Sequence, residues 1–335
     1  MKNGVWRLSG HFGAWGAAES AIQKALTAAG LRCEFVEGAS PSTAMLALNV
    51  REAQVDQDQA VSDRFDEAGM LLVDEGAADI GVNFREQVDW ARRGFGHHEG
   101  QPHTNLRGIM SLGQPQFVGF AATWESGITS LEAVAQSPRP IRLLTVSRSR
   151  HQTRFMGIVH GRVMEQCGFT QESVLGSGGA VYTADGGMEA ILEDRVDLVG
   201  LPAYSNWGPA WGEMWMQLQI RRHLRFLPIP GRVRSTLCSE LGIREGVLPA
   251  GLFRGLEDDT PTFMMRDHTV ITNADVSEAD VYEITKAIHE HSHFLQEGSV
   301  PFAYNPATAL DNLGVPVHPG ALRFYEKCGY APSSS

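Results

Sequence analysis

Three stretches of the chain gather residue types able to bind a ligand. The first is the glycine-rich run Ser9-Gly10-His11-Phe12-Gly13-Ala14-Trp15-Gly16, set between an apolar stretch and an alanine-rich one. A turn that joins a strand to a helix leaves backbone N–H groups unpaired at the positive end of the helix dipole, which is a ready anion site. The glycines follow G-x-x-G-x-x-G, which departs from the G-x-G-x-x-G that lets backbone approach a pyrophosphate. Glu37 still stands where a ribose-binding acid would sit, which keeps a nicotinamide enzyme in view. The second stretch is Ser147-Arg148-Ser149-Arg150-His151-Gln152-Thr153, with Arg154 directly behind it. Guanidinium forks suit bidentate recognition of carboxylates, and solvated surface charge is the alternative. The third is Trp207, Trp211 and Trp215. Their spacing of four fits a helical core stripe, and a place beyond the C-terminal end of a sheet strand fits a ligand wall.

The remaining reactive types read more plainly. His289, His291 and His293 alternate on a predicted helix, where residues two apart point to different faces. With no acid to complete a site around His289 and His293, this reads as a solvated helix end and not as a metal centre. His97, His98 and His103 read as exposed loop residues, and Cys33 as a core thiol. There is no G-x-S-x-G nucleophile elbow. The four cysteines are scattered without a C-x-x-C pair, so they demand neither disulfides nor zinc.

Elements that would position these residues recur twice. A strand over Val5–Leu8 leads through the glycine-rich turn into a helix with Ala21, Ile22, Ala25, Leu26 and Ala29 on one face, stopped by Gly30. A second strand spans 32–37 and ends at Gly38-Ala39-Ser40, and a polar, acidic excursion covers 52–67. Glu75-Gly76-Ala77-Ala78-Asp79 then turns the chain into the short buried strand Ile80-Gly81-Val82. Later, a strand over 141–146, the polar turn, a helix over 154–167 closed by Gly168, and Glu193-Asp194-Arg195-Val196-Asp197 before Leu198-Val199-Gly200-Leu201 repeat that order. Short apolar strands alternating with helices predict parallel sheets covered on both faces. Two such series predict two α/β lobes, a sheet to each. Ser277-Glu278-Ala279-Asp280 reads as a capping box, and Pro319 suits the first turn of a last helix.

Composition bounds the function. The 335 residues are about two domains' worth, 43% hydrophobic and 20% charged. Lys and Arg number 28 against 39 Asp and Glu, a formal net charge of −11. That balance argues against nucleic acid or an anionic membrane surface as the main partner. No apolar run approaches the roughly 20 residues of a membrane span. The first ten residues carry no leader-like apolar stretch, so the expectation is either a cytoplasmic chain or a mature exported one with a new start Met.

The C-terminal run Gly314-Val315-Pro316-Val317-His318-Pro319-Gly320-Ala321 resembles the Pro-x-His-Pro-Gly-Ala signature of TAXI-type solute receptors, the substrate-binding subunits of one class of TRAP transporters. Asn105–Leu112, Ser126–Leu131 and Asp280–Ala287 are similar to further family segments, in the same order along nearly the whole chain. The resemblance implies a two-lobed type II periplasmic-binding-protein fold with a hinge and an interlobe cleft. Lobe 1 would comprise 1–118 with about 268–335, and lobe 2 would comprise 119–267. It further implies a small organic anion as ligand, permease subunits as partners, a periplasmic location, no cofactor and no metal. Ligand-contacting positions would be Ser9, Gly10, His11, Phe12, Trp15, Ser40, Asn83, Arg148, Arg150, His151, Thr153, Trp207 and the aromatic position Phe253. The family's Gly-Ser-Gly-Thr turn reads Arg150-His151-Gln152-Thr153 here, His11 and Phe12 replace smaller residues, and 50–68 looks inserted. The expectation is therefore a non-catalytic extracytoplasmic receptor for a carboxylate. The alternative is a cytoplasmic decarboxylase or lyase on the same fold, with His11, His151 and Arg150 as acid–base and oxyanion groups.

Overall fold

A computed structural model describes residues 4–9, 13–36, 73–146, 154–204, 211–297 and 301–330. The chain divides into two compact units, residues 1–114 with 266–335, and residues 115–265.

Unit 1 opens with β1 (Val5–Leu8), α1 (Gly13–Ala28) and β2 (Arg32–Phe35), followed by β3 (Ile80–Phe84) and α2 (Arg85–Arg93). Gly30, at φ 79°, lets the chain reverse after α1. Gly94 caps α2 in the left-handed region, its N–H returning to the Ala91 carbonyl and the Phe95 N–H to the Trp90 carbonyl. β1 pairs parallel to both β2 and β3. The 18-residue β4 (Leu106–Thr123) then carries the chain across residue 115 into unit 2.

Unit 2 contains β5 (Arg142–Thr145), α3 (Arg154–Gln166), α4 (Gln171–Gly176), β6 (Ala180–Tyr182), α5 (Ala184–Leu192), β7 (Leu198–Tyr204) and α6 (Trp211–Arg221). After these come β8 (Leu224–Phe226), α7 (Gly231–Leu241) and β9 (Glu245–Leu248). β5 pairs parallel to β6 and β7, while β4 runs antiparallel to β7. The chain returns along the 14-residue β10 (Thr260–Asn273), which is antiparallel to β3, and ends in α8 (Glu278–Glu290) and α9 (Pro319–Lys327). Ser277 caps α8, accepting from the Asp280 N–H at 3.1 Å and donating to its carboxylate at 2.8 Å. His318 caps α9 ahead of Pro319 by accepting from the Gly320 N–H.

The strand order β2-β1-β3-β10-β4-β7-β5-β6 mirrors itself about the β10–β4 pair. This differs from the expectation of a separate sheet for each lobe. β4 and β10 are long enough to serve both units, so the hydrogen-bonded path is continuous while each unit keeps its own core. Trp6, Leu8, Ile22, Leu26, Ile80 and Val82 are buried in unit 1, and Leu143, Val159, Val163, Leu198 and Trp215 in unit 2. Burial of this kind contributes roughly 25 cal/mol per Å² of apolar surface. Among the described residues no helix is long and apolar enough to cross a membrane.

Candidate functional site

Each unit registers its first parallel pair with the same device. Arg7 on β1 donates to Asp79 from Nη2 at 2.7 Å, from Nε at 3.1 Å and from its backbone N–H at 2.9 Å. The Asp79 N–H returns to the Arg7 carbonyl at 2.7 Å. Arg142 on β5 repeats this with Asp197 at 2.8, 2.9 and 3.0 Å, and the Asp197 N–H returns at 2.8 Å. Burial works to raise both carboxyl groups, but the hydrogen bonds from their arginines prevail and hold both below the usual aspartate value.

Counting from these braces aligns the units residue by residue. Ser9, Gly81 and Asn83 of unit 1 correspond to Leu144, Val199 and Leu201 of unit 2, all three fully buried. The fold is therefore content with aliphatic side chains at these places, and unit 1 has a serine, a glycine and an asparagine there. The Ser9 hydroxyl donates to Glu19 Oε1 at 2.6 Å. A Cβ on Gly81 would stand 3.0 Å from that hydroxyl oxygen, so the glycine makes room for it. The Asn83 amide is fully buried, and neither of its polar atoms has a hydrogen-bond partner among the described residues. These groups gather at the C-terminal ends of parallel strands, where α/β proteins place their ligands. α2 follows at once, its N-cap Phe84 offering no side-chain cap, and Gln87 in its first turn is likewise buried with both amide atoms unpartnered among the described residues.

Of the residues expected to touch ligand, Ser9 and Asn83 therefore fall in one unit at neighbouring strand ends. Trp15 lies in the first turn of α1. Phe253 lies in unit 2, 6% exposed, its ring 5.5 Å from Phe226 and 5.3 Å from Trp215. Gly10, His11, Phe12, Ser40, Arg148, Arg150, His151, Thr153 and Trp207 lie outside the described residues.

Glu19 and Gln87 were missed in the sequence. Glu19 was legible in principle, because it stands at i with Ile22 and Leu26 at i+3 and i+7, an acid inside an apolar stripe. It is the seventh residue of α1, and the seventh of α3 is His160, also fully buried. The His160 ring nitrogen Nδ1 lies 2.8 Å from the Met156 carbonyl, and burial pushes the imidazole down to about 4 against backbone hydrogen bonds at Met156 and Leu201.

Two histidine readings change. His98 and His103 are not exposed loop residues. They are 4% and 7% exposed, with the His103 ring 3.2 Å from His98 and 3.1 Å from the Asp74 carboxylate. Mutual hydrogen bonding lets these imidazoles leave water. His289 is not a solvated helix end, since its Nδ1 lies 2.8 Å from the Tyr304 hydroxyl and its ring packs on Phe324. Among the described residues no group of three or more His, Cys, Asp or Glu is arranged to hold a metal ion.

Two α/β units, each built on parallel strands and linked by two long strands, define the class as a mixed α/β fold. Residues 67–329 match the NMT1-like family, and the chain belongs to that family. Similar solved structures include a TctC solute binding protein from Polaromonas, 9% identical over 98% of this chain and 99% of that one, with a TM-score of 0.49. PhnD1 from Prochlorococcus marinus, in complex with methylphosphonate, is 11% identical over 90% and 93% with a TM-score of 0.46. The glycine/betaine/L-proline-binding protein ProX from Borrelia burgdorferi is 9% identical over 96% and 99% with a TM-score of 0.43.

Proposed function

We propose that this NMT1-like chain is an extracytoplasmic solute receptor that binds a small organic anion and delivers it to a membrane permease, in the manner of the TAXI-type receptors of TRAP transporters. The supporting observation is the buried polar pair of Ser9 and Asn83, with Gly81 making room for the Ser9 hydroxyl, at strand ends where the corresponding residues of unit 2 are aliphatic. The turn after β1, with Ser9, Gly10, His11 and Phe12, supplies backbone N–H groups for an anion. The turn after β5 supplies Arg148, Arg150, His151 and Thr153, whose guanidinium groups pair a carboxylate bidentately. Trp15, Ser40, Trp207 and Phe253 complete the set with apolar surface and one hydroxyl. The receptor works by binding alone, and no catalytic step is assigned to it.

Thermal-shift and calorimetric screening of dicarboxylates and aromatic acids tests this reading. At least one acid raises the melting temperature, and Arg150→Ala weakens its binding by ten-fold or more. The absence of stabilisation by any acid overturns it.

A further inference from the structure

We infer that the β3–α2 junction of unit 1 is an uncharged subsite, in which the side-chain amides of Asn83 and Gln87 take a hydroxyl or carboxamide group of the bound solute. The inference rests on the receptor reading and adds to it what the non-anionic part of the ligand must be.

Both amides are fully exposed to nothing but protein, and none of their four polar atoms has a hydrogen-bond partner among the described residues. Native proteins pair nearly all buried polar groups, because leaving one unpaired forfeits its hydration without return. The pair flanks a helix start. Asn83 immediately precedes the N-cap Phe84, and Gln87 is the third helical residue. A glutamine at that position ordinarily reaches back to the N-cap N–H, yet no side-chain cap forms here.

The chemistry of the donor set selects the ligand group. Each carboxamide offers N–H donors and a carbonyl acceptor. A carboxylate, which only accepts, leaves both carbonyls unanswered. A hydroxyl or carboxamide donates and accepts, and so answers both kinds of atom without adding charge. At the corresponding place in unit 2, Leu201 replaces Asn83, so the feature is particular to one unit.

The test uses matched probes on the full chain by calorimetry: succinate against malate, glutarate against 2-hydroxyglutarate, and the neutral compounds erythritol and malonamide. The hydroxylated acid of each pair binds about ten-fold tighter, as one additional buried hydrogen bond gives. Gln87→Met and Asn83→Leu, which keep approximate shape, each bring that preference towards unity. Neither lowers the melting temperature of the ligand-free protein, since an apolar replacement relieves unpaired polar atoms. A marked fall in that temperature means the amides hold the fold together and overturns the inference. Acids that bind without hydroxyl preference overturn the subsite and leave the receptor reading intact. Neutral probes binding where acids do not overturns the anion reading and upholds the subsite. Failure of every probe overturns both.

Discussion

Two histidines show how one residue's surroundings become a property of the whole chain. His268 is fully buried between Phe84 and Phe302, with ring centroids at 4.7 and 5.3 Å, and burial pushes its imidazole down to about 3. His160 is held at about 4. Both ordinarily titrate near 6.5, so below that pH the unfolded chain takes up protons that the folded chain refuses. Stability therefore falls as pH drops from about 6.5, by about 1.4 kcal/mol per unit for each histidine. The loss stops growing near pH 4 for His160 and near pH 3 for His268. Asp79 and Asp197 act in the same direction but at lower pH: their stabilisation is fully present above the ordinary aspartate value and is lost as pH falls from there through the lowered folded values. Between pH 7 and 5 the two histidines should dominate the slope of urea midpoint against pH, and His268→Phe should flatten it measurably. The braces are also unequal. Side-chain exposure is 16% for Arg7 and 3% for Asp79, against 38% for Arg142 and 9% for Asp197. Arg7→Ala leaves the more deeply buried carboxylate unpaired and should cost about 3 kcal/mol, with Arg142→Ala costing less; urea denaturation of the two variants checks the order.

At the scale of elements, short strands and helix ends were legible because their signals are local. β1 falls where the apolar stretch before the glycine-rich turn placed it, and Gly30 and Gly168 adopt positive φ after their helices. The Ser277 cap of α8 was read from four residues. Ser277→Ala should lower stability by about 1 kcal/mol, read as a shift in melting temperature. Gly320→Ala should be worse, although alanine is the better helix former. A Cβ there would collide with the Glu278 carbonyl and crowd the Tyr282 N–H and Val281, so the glycine is required where α9 meets α8. That requirement comes from another element and leaves no trace in local spacing. The partnering of His98, His103 and His289 was illegible for the same reason, since each depends on a partner, His103, Asp74 or Tyr304, that only tertiary folding supplies.

Across the whole molecule, unit 2 is one continuous segment, 115–265, whereas unit 1 joins 1–114 to 266–335. The aromatic stack of Trp215, Phe226 and Phe253 and the buried aliphatic residues around β5 and β7 give unit 2 a core of its own. A fragment spanning 115–265 should fold with a cooperative thermal transition by circular dichroism, while residues 1–114 alone, lacking β10, α8 and α9, should not. Non-cooperative melting of the 115–265 fragment would show that β4 and β10 must be anchored at both ends for unit 2 to form.

The α/β class, the doubled order of strand, turn and helix, and the aspartate before each second buried strand were readable from the chain alone, because periodicity and turn chemistry act over a few neighbouring residues. The folded molecule decided what those neighbours cannot. It paired each aspartate with an arginine 72 or 55 positions away. It joined the two strand series through β4 and β10. It brought Ser9 to Glu19, and it buried the Asn83 and Gln87 amides away from water. Burial and long-range pairing depend on which surfaces meet, and that is a property of the packed chain.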